Sequence, residues 1–269
     1  MKKDLVSLFS AIVVLTAIFG FTLYNVMGAV PLGPDSITDN GDETLDSGNY
    51  PAENITAYAG NISNIDFDVI SQTKHWQGYY GDITGVITLD DADNYTLYDW
   101  PNAEPKGEMY ATPISTTPAW ATVICFNFTG GSDGGGLGNV TYWETYYNMT
   151  YNDVDGIDET FNMTQHPTFD IGDVNTITTD TCPSTYLHMS DLFQEDKWSQ
   201  ILLEDEDGDI IFTTIIENDD EANNTDIQGY KDIAFTPDFQ LIVAEDGTSR
   251  NGGTINTDTT PYYFYLDLE

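Results

Sequence analysis

SQILLED (199–205) and DIIFTTII (209–216), with only Glu206, Asp207 and Gly208 between them, decide the fold. Each run is too short for an amphipathic helix. Each is dominated by Ile, Leu, Phe and Thr and bounded by acids and glycine, which is the signature of a strand. The same texture recurs outward in both directions. Short β-branched or aromatic runs lie at IDFDVIS (65–71), DITGVITL (82–89), TLYDW (96–100), GEMYAT (107–112), ATVICFNF (121–128), NVTYWETYYNMTY (139–151), TFDIGDVNTI (168–177), FQLIVAED (239–246) and YYFYLDL (262–268). Gly, Asp, Asn and Pro punctuate them. Only SDLFQEDKW (190–198), opened by Ser190 as a cap, reads as a helix. Strands at this spacing predict an all-β domain, a β-sandwich of Ig-like or jelly-roll-like type.

The N-terminus is different in kind. Leu5–Tyr24 (LVSLFSAIVVLTAIFGFTLY) is an uncharged apolar run. As a helix it would span roughly 30 Å, the thickness of a bilayer's hydrocarbon. Lys2 and Lys3 precede it and the acidic bulk follows, so the positive-inside bias puts the remainder outside the cytoplasm. A cleaved signal, a permanent anchor and a pilin-type assembly helix all fit this pattern, and all three share that orientation. The expected organisation is an N-terminal hydrophobic helix over 1–29, an acidic Gly- and Pro-punctuated linker over 30–64, and a β ectodomain over 65–269 with room for a second small β subdomain.

Charge narrows the function classes. The 269 residues carry 7 Lys+Arg against 45 Asp+Glu, a net charge of −38. A nucleic-acid grip needs a basic face, and this composition excludes one. Self-repulsion on this scale is severe at low ionic strength and fades at molar salt, where the screening length is about 3 Å. The expectation is a high-salt or cation-rich exterior.

Two further features point outside the cell. Asn-x-Ser/Thr sequons occur at Asn54, Asn61, Asn94, Asn127, Asn139, Asn148, Asn162 and Asn223, all beyond the apolar segment. Chance pairing of the chain's asparagines with its Ser and Thr content would give about three such sites, so the excess favours N-glycosylation. Cys125 and Cys182 are the only cysteines. In an oxidising exterior such a pair bridges, and the expectation is one intrachain disulfide joining two β segments.

Candidate chemistry is thin. Asp91 and Asp93, then Asp153 and Asp155 with Asp158 and Glu159, then Asp205, Asp207 and Asp209 sit in acidic clusters. The last two clusters surround a glycine, and tight turns of this type can gather carboxylate oxygens around Ca2+ or another hard cation. None matches the twelve-residue calcium loop, and solvated turns are the plain alternative. GGSDG (130–134) matches a nucleophile elbow around Ser132 in letters only, since more glycine follows where a helix is needed. His75, His166 and His188 share no metal-ligand spacing. Two aromatic groups, Trp76, Tyr79, Tyr80, Tyr95, Tyr98 and Trp100, then Trp143, Tyr146, Tyr147 and Tyr151, could stack on sugars or fill the core. No required cofactor and no enzymatic activity are expected.

The segments KHWQGYYGDITGVITLDDADNYTLYDW, HPTFDIG, DTCPSTY, FTTIIEND and YYFYLDL resemble a family of uncharacterised surface proteins of halophilic and small-genome archaea, over about residues 65–269. An apolar N-terminal helix carrying a glycosylated β domain also resembles, in architecture, the archaeal type IV pilins and archaellins. Those leaders are cut after Lys-Gly or Lys-Ala, where this chain has Lys3-Asp4. These resemblances imply a cell-surface glycoprotein, either a pilin-like filament subunit or an anchored structural or adhesive ectodomain. Its implied partners are the membrane through residues 5–24, other copies of itself and surface glycans. The alternatives are an extracellular carbohydrate- or calcium-binding module and, third, a secreted hydrolase.

Overall fold

A computed structural model describes residues 30–41, 56–66, 73–93, 95–102, 106–129, 139–150, 153–189, 192–193, 198–216, 237–246 and 260–268. The expected N-terminal helix, the Gly-rich loop with Ser132, and Asn54, Asn94, Tyr151 and Asn223 lie outside them. Among the described residues no helix is long and apolar enough to cross a membrane.

The chain order is β1 (Trp76–Gly81), β2 (Gly85–Asp90), β3 (Thr96–Asn102), β4 (Gly107–Thr112), a 3-10 turn (Trp120–Thr122), β5 (Ile124–Cys125), α1 (Val140–Tyr146), α2 (Ile157–Thr160), β6 (Phe169–Ile171), β7 (Asn175–Ile177), β8 (Ser184–Tyr186), β9 (His188–Met189), β10 (Leu192–Phe193), β11 (Ser199–Glu204), β12 (Ile210–Ile216), β13 (Phe239–Ala244) and β14 (Tyr263–Leu268). Among the described residues the strands form one six-stranded sheet and four two-stranded ones, and every pairing is antiparallel. The large sheet runs β14-β4-β12-β11, with β5 and β8 sharing the outer edge of β11.

The two deciding runs form its centre. Leu202 faces Phe212, which faces Ala111 on β4; one residue along, Leu203 faces Ile211. Side chains alternate faces along a strand, so these two rows point in opposite directions. Both rows are fully buried. A strand covered on both faces has no solvent side to mark with polar residues, and for that reason SQILLE and IIFTTII read as continuous apolar runs.

Each face has its own core. On one, Met109, Ala111, Leu202, Ile210 and Phe212 meet Leu241 and Val243 of β13 together with Trp143, Tyr147, Ile157 and Phe161 from the helical region. On the other, Tyr110, Ile201, Leu203 and Ile211 meet Trp120, Val123, Phe169, Ile171, Ile177 and Cys182. Gln200, fully buried, ties β13 to the large sheet. Its amide donates to Gln240 O at 2.7 Å and its Oε1 accepts from Ile242 N at 3.1 Å. One side chain thus satisfies a backbone donor and a backbone acceptor that the pairing of β13 with β1 leaves over.

Four segments differ from the sequence reading. NVTYWETYYNMTY is a helix over 140–146 and not a strand. The Asn139 side chain caps it by accepting from Tyr142 N at 2.8 Å, and Trp143 and Tyr147, four apart, turn to the core. That spacing is helical, and burial of two large rings overrides the β preference of the aromatics. In SDLFQEDKW, Leu192 and Phe193 pair antiparallel with Met189 and His188, while Ser190, expected as a cap, Asp191 and residues 194–197 lie outside the described ones. TFDIGDVNTI is two strands folded back on each other, turning through Gly172 at φ +52°. The expected linker begins inside the fold. Leu32 exchanges two backbone hydrogen bonds with Leu266 at the free edge of β14, and Val30 packs on the second core.

Candidate functional site

The disulfide is formed. Cys125 and Cys182 are bonded, with their α-carbons 4.7 Å apart. Cys125 lies opposite Leu203, and Cys182 stands two residues before β8, which pairs further back along the same strand. Between the two, Leu202 N donates to Pro183 O at 2.9 Å and Leu202 O accepts from Phe126 N at 3.1 Å. The bridge therefore staples the point where one edge of β11 passes from one short strand to another. His166 supports it from below. Its Nε2 accepts from Thr181 N at 3.1 Å and from Cys182 N at 2.9 Å, so the ring proton sits on Nδ1, which donates to Pro167 O at 2.8 Å. Burial lowers its pKa. The neutral ring is structural, holding two amides that burial would otherwise leave unpaired.

The acid clusters separate into two kinds. Asp91, Asp153 and Asp205 are folded back on their own backbones. Asp91 Oδ1 accepts from Asp93 N and Tyr95 N, both at 2.9 Å. Asp205 Oδ1 accepts from Asp207 N and Asp209 N, both at 3.0 Å. Asp153 accepts from Thr150 N at 2.6 Å and from Thr150 Oγ1 at 2.5 Å. Asp155 accepts from Thr73 Oγ1 at 2.5 Å. Asp91, Asp153 and Asp205 close turns, with Asp93 and Asp207 exposed beside them, whereas Asp155 bonds across to the segment before β1.

A different trio converges. Glu144, Asp158 and Glu159 bring one carboxylate oxygen each within 4.8 Å of the others. Glu144 is buried on α1 beside Trp143 and accepts from Ile157 N, at the start of α2, at 3.3 Å. Asp158 and Glu159 stand in the first turn of α2. Burial, then the charge of Asp158, pushes Glu144 up to about 7; a hydrogen bond to Asp158, then burial, raises Glu159. Gly156 leaves the room: a Cβ there would come within 2.5 Å of Glu159 Oε2 and 2.9 Å of Glu144 Oε1. Such a trio holds a shared proton or offers hard oxygen to a cation. Asp158 and Glu159 are legible in the sequence as acids beside Gly156, whereas Glu144 is hidden there in a segment whose aromatics favour a strand.

Trp143 links this corner to the β11–β12 turn, its Nε1 donating to Gly208 O at 3.1 Å. There two more carboxyls are perturbed. Burial, then Asp205 and Asp207, pushes Asp209 up to about 6. Glu204 is completely buried, and burial pushes it up to about 7. The Asn127 backbone N–H offsets part of that without reaching full hydrogen-bond geometry, and neither Glu204 oxygen has a partner that does.

Five of the sequon asparagines are among the described residues. Asn61, Asn127, Asn148 and Asn162 are exposed, and Asn139 is half-buried as the helix cap. At Asn127 the side-chain oxygen accepts from Thr129 N at 3.0 Å and from Thr129 Oγ1 at 2.9 Å, a local turn that closes the sequon on itself. Asn148 ends α1 in the left-handed region at φ +56°, with its amide bonded to Thr145 O.

The aromatics divide. Trp76 packs edge-on to Phe212 and against Phe161 in the core, Tyr79 meets Phe264, and Trp143 and Tyr147 are buried. Tyr95, Tyr98 and Trp100 stand exposed on the β2–β3 hairpin. The side chain of His188 lies outside the described residues, and His75 Nε2 approaches Asp153 Oδ2 at 4.0 Å. Comparison with protein-family models, curated proteins and solved structures finds no match to this chain.

Proposed function

We propose that the chain is a non-enzymatic archaeal cell-surface glycoprotein, held at the membrane by residues 5–24. Its β domain makes structural or adhesive contacts, as a pilin-like filament subunit or as an anchored ectodomain in a high-salt exterior. The observation that carries this reading is the formed Cys125–Cys182 bridge, because structural disulfides belong to oxidising compartments. The exposed sequon asparagines and the net charge of −38 support the same location. In this reading the domain is a β-sandwich with the β1–β13 pair as its second layer, which the packing of Leu241 and Val243 with Leu202 and Phe212 supports.

Mass spectrometry of the native protein tests the proposal. Hexose-bearing peptides at Asn127, Asn148 or Asn162 are expected. A native start near Leu5 supports the filament helix, Met1 the anchor, and a start near Ala29 a cleaved signal. Unmodified asparagines in a chain recovered from the cytoplasm, with free thiols, would overturn the reading.

The second reading is a calcium-binding module, favoured by the Glu144, Asp158 and Glu159 trio. Melting at constant molar ionic strength, with and without millimolar calcium, decides it. A rise that Glu144→Gln removes supports calcium, and an unchanged midpoint rejects it.

A further inference from the structure

We infer that the β domain is seated directly on the membrane by one end of its large sheet, with no stalk between. The inference rests on the reading of residues 5–24 as the membrane segment. It deepens that reading by naming the surface that meets the lipid headgroups.

The chain enters the fold almost at once. Leu32 N donates to Leu266 O at 2.9 Å, and Leu32 O accepts from Leu266 N at 2.8 Å. Pro31 is buried and Val30 packs on the second core. Between Tyr24 and Val30 the chain has only Asn25, Val26, Met27, Gly28 and Ala29. An extended chain gains at most about 3.5 Å per residue, so Val30 stands within about 20 Å of the end of the apolar run. The headgroup layer occupies about 6 Å of that reach. The expected linker over 30–64 therefore cannot lift the domain. Its first residues are already docked, and the rest of it follows the point of attachment.

The register says which end faces the lipid. The bridge between Leu32 and Leu266 is antiparallel, so the chain reaches it from the Leu268 end of β14. Leu268 lies opposite Gly107, and Gly107 opposite Ile216. These three residues close one end of the large sheet, and Lys106 is exposed beside Gly107. The β11–β12 turn closes the other end, beyond the pair Glu204 and Ile210. β12 runs from one end to the other in seven residues, which holds the two ends roughly 20 Å apart.

The outer end is where the polar features gather. Trp143 Nε1 donates to Gly208 O in the β11–β12 turn, which brings α1 toward this end together with Glu144 and the sequon asparagine that caps the helix. A hydrated glycan on Asn139 needs solvent around it, and that favours the sheet standing upright on the membrane over lying flat. Glu206 and Asp207 are exposed in the same turn. The surface left for contacts with anything outside the cell is therefore the β11–β12 turn and α1, and the Gly107 end is taken by the membrane.

The test uses the full chain in phosphatidylglycerol vesicles at molar sodium chloride. Both native cysteines are bonded to each other, so an introduced cysteine is the sole free thiol. A nitroxide is attached to Lys106→Cys or to Asp207→Cys, both at exposed positions. Its relaxation by gadolinium chelated on the lipid headgroups is then measured. Relaxation of this kind falls steeply with distance, and across roughly 20 Å it is expected to be at least about threefold faster at position 106 than at position 207. A flexible Gly/Ser insertion of about 20 residues between Gly28 and Ala29 adds roughly 25 Å of reach and is expected to abolish the difference. Equal relaxation at the two positions in the native chain, or faster relaxation at 207, overturns the inference. So does a difference that survives the insertion undiminished, because the short tether would then not be what seats the domain. Failure of the chain to float with the vesicles overturns the membrane reading and this inference with it, whereas flotation with equal relaxation defeats this inference alone.

Discussion

Replacing Glu204 by Gln should stabilise the protein above neutral pH and leave it nearly unchanged near pH 5. Glu204 is completely buried at the end of β11, and neither of its oxygens has a hydrogen-bond partner of full geometry. Burial lifts its carboxyl from the ordinary 4.5 to about 7. The folded protein therefore holds a proton that the unfolded chain releases. For a carboxyl raised in this way, the stabilising contribution is fully present below the unfolded value and is lost as pH rises through the folded one. At about 1.4 kcal/mol per pH unit, the interval from 4.5 to 7 is worth about 3 kcal/mol, complete by pH 8. The glutamine cannot ionise and escapes that loss. For a domain of this size about 3 kcal/mol is a difference of roughly 6–12 °C in melting temperature. The assay is thermal melting by circular dichroism in molar salt, wild type against Glu204→Gln, at pH 5 and pH 8. Salt suppresses the repulsion among surface acids but leaves the burial of Glu204 untouched. Glu144 and Asp209 are raised as well and keep a slope of the same sign in both proteins. The quantity to read is thus the change in the variant's advantage between the two pH values. An advantage equal at pH 5 and pH 8 would refute the reasoning.

Reducing the Cys125–Cys182 bridge frees a loop of 57 residues and should cost about 4 kcal/mol in the chain-entropy picture; thiol labelling of unfolded, unreduced protein should find no free thiol, and two would contradict the bridge. His166 acts in the opposite sense from the carboxyls: burial depresses its pKa, so its contribution is present above the unfolded value near 6.5 and lost as pH falls through the folded one. His166→Leu leaves the amides of Thr181 and Cys182 without a partner and should destabilise by about 2–3 kcal/mol at pH 7, with a weaker acid limb in the melting profile than wild type. Asn139→Ala removes the cap of α1 and should cost about 1 kcal/mol by chemical denaturation; Asn139→Asp, which keeps the capping oxygen while abolishing the sequon, should retain most of that stability if the cap is the cause.

Strand content was legible because the local signals are strong and unopposed. SQILLED, DIIFTTII, GEMYAT, FQLIVAED and YYFYLDL all became strands, at β11, β12, β4, β13 and β14. At 139–151 residue preference and period disagree, and the period wins. Asn139 as a cap and the four-residue step from Trp143 to Tyr147 were both visible, and together they mark one helical face. Glu144 was lost with that helix. The carboxyl trio could not have been read in any case, because its oxygens meet only when α1 is laid against the turn before α2.

What the sequence alone determined was the class of the fold, the pairing of its two cysteines and the acid excess, since each depends on composition or on order within a few residues. The tertiary structure alone decided which face each strand buries, which carboxylates are taken up by their own turns and which are pressed together, and that the β2–β3 hairpin leaves apolar side chains exposed. The physical reason is range. Propensity and alternation act between neighbours in the chain, whereas desolvation and carboxylate repulsion depend on distances between segments that only packing sets.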